Sequence, residues 1–199
     1  MKHHVVVIHG GDSFLTRAAY LADLRTAEME IDRYRAGTRR DWKNTLHKKL
    51  GKGFEVFLPS MPNKDNAQYD EWALWFKKII PHLNNNVTLV GHSLGALFLV
   101  KYLSENKFPK KIRATLLVAT PYDDVGTFTR PKTLIRLSQQ GGTIIFYQSK
   151  NDPVVSMREA LGYQKELPDV RMRIFKKRGH FDRSSFPELV RDIKAAHQR

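Results

Sequence analysis

Cysteine is absent from the chain, which excludes disulfides, cysteine-ligated zinc and a thiol nucleophile together. Whatever chemistry the protein performs therefore uses oxygen or nitrogen. Long apolar runs are missing too, since nothing approaches the ~20 residues that a helix needs to span a bilayer. Near the N-terminus, Val5 to Ile8 runs directly into His9-Gly10-Gly11-Asp12, which is neither a signal-peptide core nor a cleavage site. The expectation is a cytoplasmic protein with no membrane partner. No repeat, low-complexity tract or linker interrupts the sequence, and the histidines do not fall at the spacing of a metal site. No metal and no cofactor are expected.

Acidic residues are the minority charge, 20 against 34 Lys and Arg, for a net charge of +14. Such a balance can mark a nucleic-acid partner. Here the basic residues are scattered among acids, with local clusters at Arg39-Arg40, Lys48-Lys49, Lys110-Lys111 and Arg171 to Arg178. No recognised nucleic-acid motif accompanies them, so they read as a solvated surface and no specific nucleic acid is expected. In the last cluster, Met172 and Ile174 alternate with Arg171 and Arg173, the pattern of a strand with one exposed face. At the edge of a sheet those charges would also discourage pairing with other chains.

What is present is a regular alternation. Strands are predicted at 5–9, 54–58, 87–91, 114–119, 143–148 and 172–176, with helical spacing between them, as in Trp72, Trp75, Phe76 and Ile79. Strands alternating with helices imply crossover connections and a parallel sheet covered on both faces. The fold class is therefore α/β: a three-layer α/β/α sandwich with a mostly parallel sheet of about six strands, residues 1–199 forming one domain. The connection from His9 to Phe54 is longer than one crossover helix requires. It is expected to carry a helical insertion at about 15–50, with one helix from about Leu15 to Tyr34 and another over Trp42 to Leu50, capped by Asp41.

Ligands in open α/β sheets bind beyond the carboxyl ends of the strands. The segments found there are His9-Gly10-Gly11-Asp12-Ser13, Gly91-His92-Ser93-Leu94-Gly95, Thr120-Pro121-Tyr122-Asp123-Asp124, Ser149-Lys150-Asn151-Asp152-Pro153 and Arg178-Gly179-His180-Phe181. A serine, a carboxylate and a histidine thus reach one edge in that order. In "NVTLVGHSLGALFLV" (86–100) an apolar strand passes into an apolar helix with no room for an ordinary loop. Such a turn holds its central residue, Ser93, in a strained backbone with its side chain exposed. Gly91 and Gly95 remove side chains that would collide as strand and helix close. The helix from Leu94 should be central and buried, and its N-terminal amides favour an oxyanion beside Ser93. A bare Gly-x-Ser-x-Gly arises by chance in roughly one chain of this length in fifteen, so the surrounding strand and helix carry the argument.

This context, with the later Asp and His, resembles the α/β-hydrolase superfamily over nearly the whole chain. More narrowly, "VGHSLGA", "FTRP" at 128–131, "SKNDPVVS" at 149–156 and "RGHF" at 178–181 resemble the small serine hydrolases related to retinoblastoma-binding protein 9. The cysteine-containing motif associated with retinoblastoma-protein binding cannot occur in this chain, so no such partner is inferred. The resemblance implies Ser93 as nucleophile, His180 as its base and Asp152 as the residue that orients the imidazole. Asp123 or Asp124 would take the acid's place if Asp152 pointed away. The amides of Leu94 and Gly11 would form the oxyanion hole, with Asp12 as the alternative second donor. His9 and His92 would line the site as hydrogen-bonding wall residues, Asp12 beside them, and Phe14, Tyr122 and Phe128 would supply an apolar wall. His3 and His4 read as surface residues.

A serine rather than an aspartate at the turn implies acyl transfer, with a small carboxylic ester as the leading substrate. A peptidase or amidase of the same mechanism is the alternative. The segment Pro121 to Pro131 is too short for a lid domain, which favours small soluble acyl substrates, and the long first connection is a candidate substitute cap. A catalytically silent interaction protein on the same fold stays open at this point.

Overall fold

The computed structural model describes residues 2–28 and 41–198. Six strands, β1 (His3–Ile8), β2 (Phe54–Phe57), β3 (Val87–His92), β4 (Ile112–Val118), β5 (Thr143–Ser149) and β6 (Arg171–Phe175), form one sheet in the order β2-β1-β3-β4-β5-β6. Every neighbouring pair is parallel. The expected strands are all present, with ends within two residues of those predicted.

The period of two along each strand sorts its apolar side chains between two cores. Val6 and Ile8 face one cluster with Leu89, Leu117 and Phe146, whereas Val5 and Val7 face the other with Val90, Leu116 and Tyr147. The first cluster is covered by α3 (Tyr69–Ile79), α4 (Leu94–Glu105), α5 (Ile135–Gln140) and α6 (Met157–Glu166), the second by α2 (Trp42–Leu50) and α7 (Pro187–His197). These are the three expected layers. The α4 helix is buried from Leu94 to Ser104, as its nearly continuous apolar sequence requires. Filling both faces of the sheet is what lets the interior strands be largely apolar.

The long first connection contains α1 (Arg17–Thr26) and α2. Asp41 caps α2, its carboxylate accepting the Lys43 amide at 2.9 Å. The predicted first helix is corrected. It ends at Thr26, none of its residues is buried, and Leu24 points to solvent. Residues 29–34, the rest of the predicted span, lie outside the described residues. Nor is α2 a cap over the mouth, because it packs beneath the sheet, burying Trp42, Leu46 and Leu50 against the second core.

Two smaller expectations also change. His4 is buried in β1, where its Nδ1 accepts the Asn84 amide at 3.1 Å, while His3 is exposed as expected. In the edge strand β6, Ile174 is exposed and Arg173 is drawn inward to the buried Asp192, so its two faces do not separate cleanly into apolar and charged. Among the described residues no helix is long and apolar enough to cross a membrane.

Candidate active site

Strand order places the site. β1 is flanked by β2 on one side and β3 on the other, so the chain leaves the sheet in different directions there and opens a crevice beyond the strand ends. The loop after β1 and the turn after β3 meet in it. Ile8 pairs with Gly91, and a Cβ built on Gly10 would lie 3.0 Å from the Ser93 Cβ.

Ser93 has φ 56° and ψ −126°, a conformation costly for any residue with a side chain. Its amide donates to the Val118 carbonyl at 2.8 Å, and its carbonyl accepts the Ala96 amide at 2.8 Å. The turn is thus tied to both β4 and α4. A Cβ on Gly91 would sit 2.5 Å from the Ala96 Cα, and one on Gly95 would sit 2.4 Å from the Ile8 and His9 carbonyl oxygens. Both glycines are therefore dictated by backbone contact, as the sequence pattern suggested. The Ser93 Oγ has no hydrogen-bond partner among the described residues.

His180 and Asp152 meet. The Asp152 carboxylate, its side chain fully buried, lies with both oxygens 3.0 Å from His180 Nδ1. It also accepts the Val154 and Val155 amides at 2.9 and 3.0 Å, so the same group orders its own turn and faces the imidazole. A carboxylate facing Nδ1 favours the imidazole tautomer that carries its proton there. Nε2 is left bare, without a hydrogen-bond partner among the described residues. Asp123 is turned away to the exposed Arg158, and the Asp124 carboxylate accepts the Arg130 amide at 2.6 Å. Neither of these acids stands in for Asp152.

The wall histidines differ from His180. His9 Nε2 accepts the Met61 amide at 2.9 Å, leaving its Nδ1–H to donate to the Gly10 carbonyl at 2.6 Å. Burial lowers its pKa. His92 is buried and is held well below the usual histidine value, chiefly by burial and then by the neighbouring Lys43 ammonium. It sits with Nε2 2.8 Å from the His180 carbonyl. Both rings are neutral hydrogen-bonding groups with their nitrogens occupied.

Of the amides considered for an oxyanion hole, that of Asp12 donates to the Lys64 carbonyl at 2.8 Å, so this alternative is excluded. The amides of Gly11 and Leu94 donate to no backbone carbonyl among the described residues. The aromatic wall is corrected in part. Phe128 is fully buried against Trp72, Tyr69 and Phe98, with no face left for a ligand. Tyr122 packs on Tyr163, and its hydroxyl lies with Glu166 and Arg130. Phe14 is partly exposed and rests on Tyr20, while Asp12 is exposed at the loop tip.

Several residues that the sequence reading passed over build the histidine loop. Ser149 Oγ accepts the Arg178 amide at 2.9 Å, and Asn151 Oδ1 accepts the Gly179 amide at 3.0 Å, stitching the segment after β5 to the one after β6. Their place on either side of Lys150, just before Asp152, was the available signal. Cavities among the described residues lie elsewhere as well. One of about 510 Å³ between α2 and α7, lined by Trp42, Leu46, Phe186 and Val190, shares no lining residue with the Ser93 crevice. Another of about 420 Å³ is lined by Arg17, Tyr20, Lys64 and Gln68, beside the Lys64 carbonyl that holds the loop after β1.

The sheet order, the strained turn after β3 and the helical layers define an α/β-hydrolase fold. The chain belongs to the serine hydrolase family, whose model matches residues 31–189. It is 27% identical over 151 residues to serine hydrolase RBBP9 of Rattus norvegicus, covering 72% of this chain and 78% of that protein. Among solved structures, the ydeN gene product from B. subtilis superposes with a TM-score of 0.79 at 18% identity, covering 100% of each chain. The thioesterase domain from the curacin biosynthetic pathway gives 0.64 at 12% identity, covering 98% of this chain and 91% of its own.

Proposed function

We propose that the protein hydrolyses small carboxylic esters through an acyl-enzyme on Ser93, with His180 as general base and Asp152 orienting it. The observation that carries this reading is the buried Asp152 carboxylate facing His180 Nδ1 at the sheet edge where Ser93 stands in its strained turn. A carboxylate there maintains the tautomer whose Nε2 can take a proton and stabilises the imidazolium that results.

In the proposed sequence Ser93 Oγ bonds to the acyl carbon as its proton passes to His180 Nε2. The carbonyl oxygen takes up negative charge, and the amides of Leu94 and Gly11 stabilise it, aided by the N-terminal end of α4. The intermediate then collapses. Its bond to the leaving oxygen breaks, and that oxygen receives the proton from Nε2. Water repeats the cycle, giving its proton to Nε2 and releasing the acid. Hydrogen bonds of this kind commonly tighten only once substrate is bound, which accommodates the unpaired Oγ of the free enzyme. A thioester fits the same geometry, since the thiolate leaves more readily than an alkoxide. With only the short segment Pro121 to Pro131 after β4, the crevice suits small soluble acyl groups, and neither a nucleic acid nor a membrane belongs to this reading.

A fluorophosphonate probe tests it without knowledge of the substrate. Serine attack forms an Oγ–P bond and expels fluoride, and His180 accepts the proton. The expected result is one adduct on Ser93, absent in Ser93→Ala and slowed at least 100-fold in His180→Ala. Folded wild-type protein that takes no label overturns the proposal and favours a silent scaffold. In that case DNA or heparin retention falling steeply with salt would identify a basic binding surface.

A further inference from the structure

We propose that the N-terminal end of α2, with His92, is a clamp that positions the histidine loop; this rests on the reading of His180 as the general base. Lys43, Trp42 and His92 are its working parts.

The loop needs holding. Gly179 and Phe181, on either side of His180, both lie in the left-handed region, at φ 56° and 61°. A phenylalanine stays there only when its surroundings over-determine it. The Phe181 ring is buried, stacked on Phe186 at 5.1 Å and edge-on to Phe175 at 5.6 Å. Its backbone is taken up by α2. Trp42 Nε1 donates to the Phe181 carbonyl at 3.0 Å, and the Trp42 amide donates to the Arg183 carbonyl at 3.1 Å. Thr45 Oγ1 reaches the Ser184 carbonyl at 3.3 Å.

The carbonyl of His180 itself is held by His92 Nε2 at 2.8 Å. That contact requires the proton on Nε2, and Lys43 enforces it. The Lys43 ammonium is fixed by Asp41 at 2.8 Å and lies over the Trp42 ring at 4.9 Å. It stands 3.5 Å from His92 Nδ1. An ammonium has hydrogens to give and none to accept, so a protonated Nδ1 facing it would be repelled. The cation thereby selects the tautomer of His92, and that tautomer donates to the backbone of the general base. Asp41, Trp42 and Lys43 are thus positioning residues for the reaction, although no side chain of α2 is placed among the reacting groups.

Two measurements test the clamp. In the full chain at neutral pH, ¹⁵N NMR should find His92 as a single Nε2–H tautomer, and Lys43→Met should produce a mixture while Lys43→Arg retains the single form. Saturation kinetics with the fluorophosphonate should give a maximal labelling rate about 10–100-fold lower in His92→Met, with probe affinity little changed, since small misplacements of a reacting group carry losses of that order. His92→Gln, which keeps an N–H donor near Nε2, should recover most of the rate. A His92→Met protein that melts like the wild type and labels as fast overturns the clamp. If His92→Met does not fold, Lys43→Met decides, and an unchanged tautomer and rate there overturn it equally. Absence of labelling in the wild type itself counts against the hydrolase reading instead, and the tautomer measurement then decides the clamp alone.

Discussion

The helices α1 and α2 leave the same connection between β1 and β2, and each begins on a side-chain cap. Thr16 Oγ1 accepts the Ala19 amide at 3.1 Å, and the Asp41 carboxylate accepts the Lys43 amide at 2.9 Å. They differ in what they cover. No residue of α1 is buried, whereas α2 buries Trp42, Leu46 and Leu50 under the sheet. Capping says where a helix can start, but packing decides whether the rest of the molecule depends on it. The described parts of the long connection are therefore unlike, one at the surface and one built into a core layer and tied to the histidine loop.

The sharpest test of that contrast uses one substitution in both helices. Leu46→Ala should cost about 2–5 kcal/mol of unfolding free energy, because it leaves a cavity in a closed core, and chemical denaturation would measure it. A cost below about 1 kcal/mol would mean that α2 is as dispensable as α1. Next in size, Asp41→Ala should cost about 0.5–2 kcal/mol through the lost cap, and it also releases Lys43 from its ion pair. Thr16→Ala in α1 should cost less, since its helix covers no core.

A smaller effect appears with pH. His197 on α7, the partner of α2 in its layer, has its pKa pulled down to about 4, first by burial and then by His3 and Arg113. Its unfolded counterpart takes up a proton near 6.5. The unfolded state therefore binds more protons than the native state between these values. Stability from this group is present above about pH 6.5 and is lost as pH falls toward 4. Denaturation midpoints in His197→Gln should decline less over that window than those of the wild type, where the ring also bonds Thr88 at 2.9 Å. Smallest of all, Leu24→Ala should change stability by no more than about 0.5 kcal/mol, as expected of an exposed position. A larger loss would show that α1 has an apolar partner.

Much of the fold was legible because its signals are local. The short apolar runs placed all six strands, Asp41 marked the start of α2, and the apolar length of Leu94 to Leu103 announced a buried helix. The site was legible where spacing itself carries the constraint, as with Gly91 and Gly95 around Ser93. It was misread where local chemistry does not specify direction. Phe128 follows a strand end as a site residue would, yet its ring fills the core beside Trp72. Asp12 is one residue from Gly11, and the exchange of hydrogen bonds with Lys64 and Ala67 consumes its backbone groups. Tyr122 satisfies its hydroxyl on Glu166, a partner far along the chain.

By itself the sequence determined the α/β alternation, the absence of thiol chemistry and the glycine-flanked serine turn, since each depends on residues close together in the chain or on composition. Tertiary structure alone decided which side chains meet beyond the strand ends. It turned Asp152 rather than Asp123 or Asp124 toward His180, gave Lys43 its place behind His92, and put α2 beneath the sheet instead of over the mouth. Those choices depend on strand order and on burial across distant segments. No local propensity encodes them, because the free energy that selects them comes from packing and hydrogen-bond satisfaction throughout the folded chain.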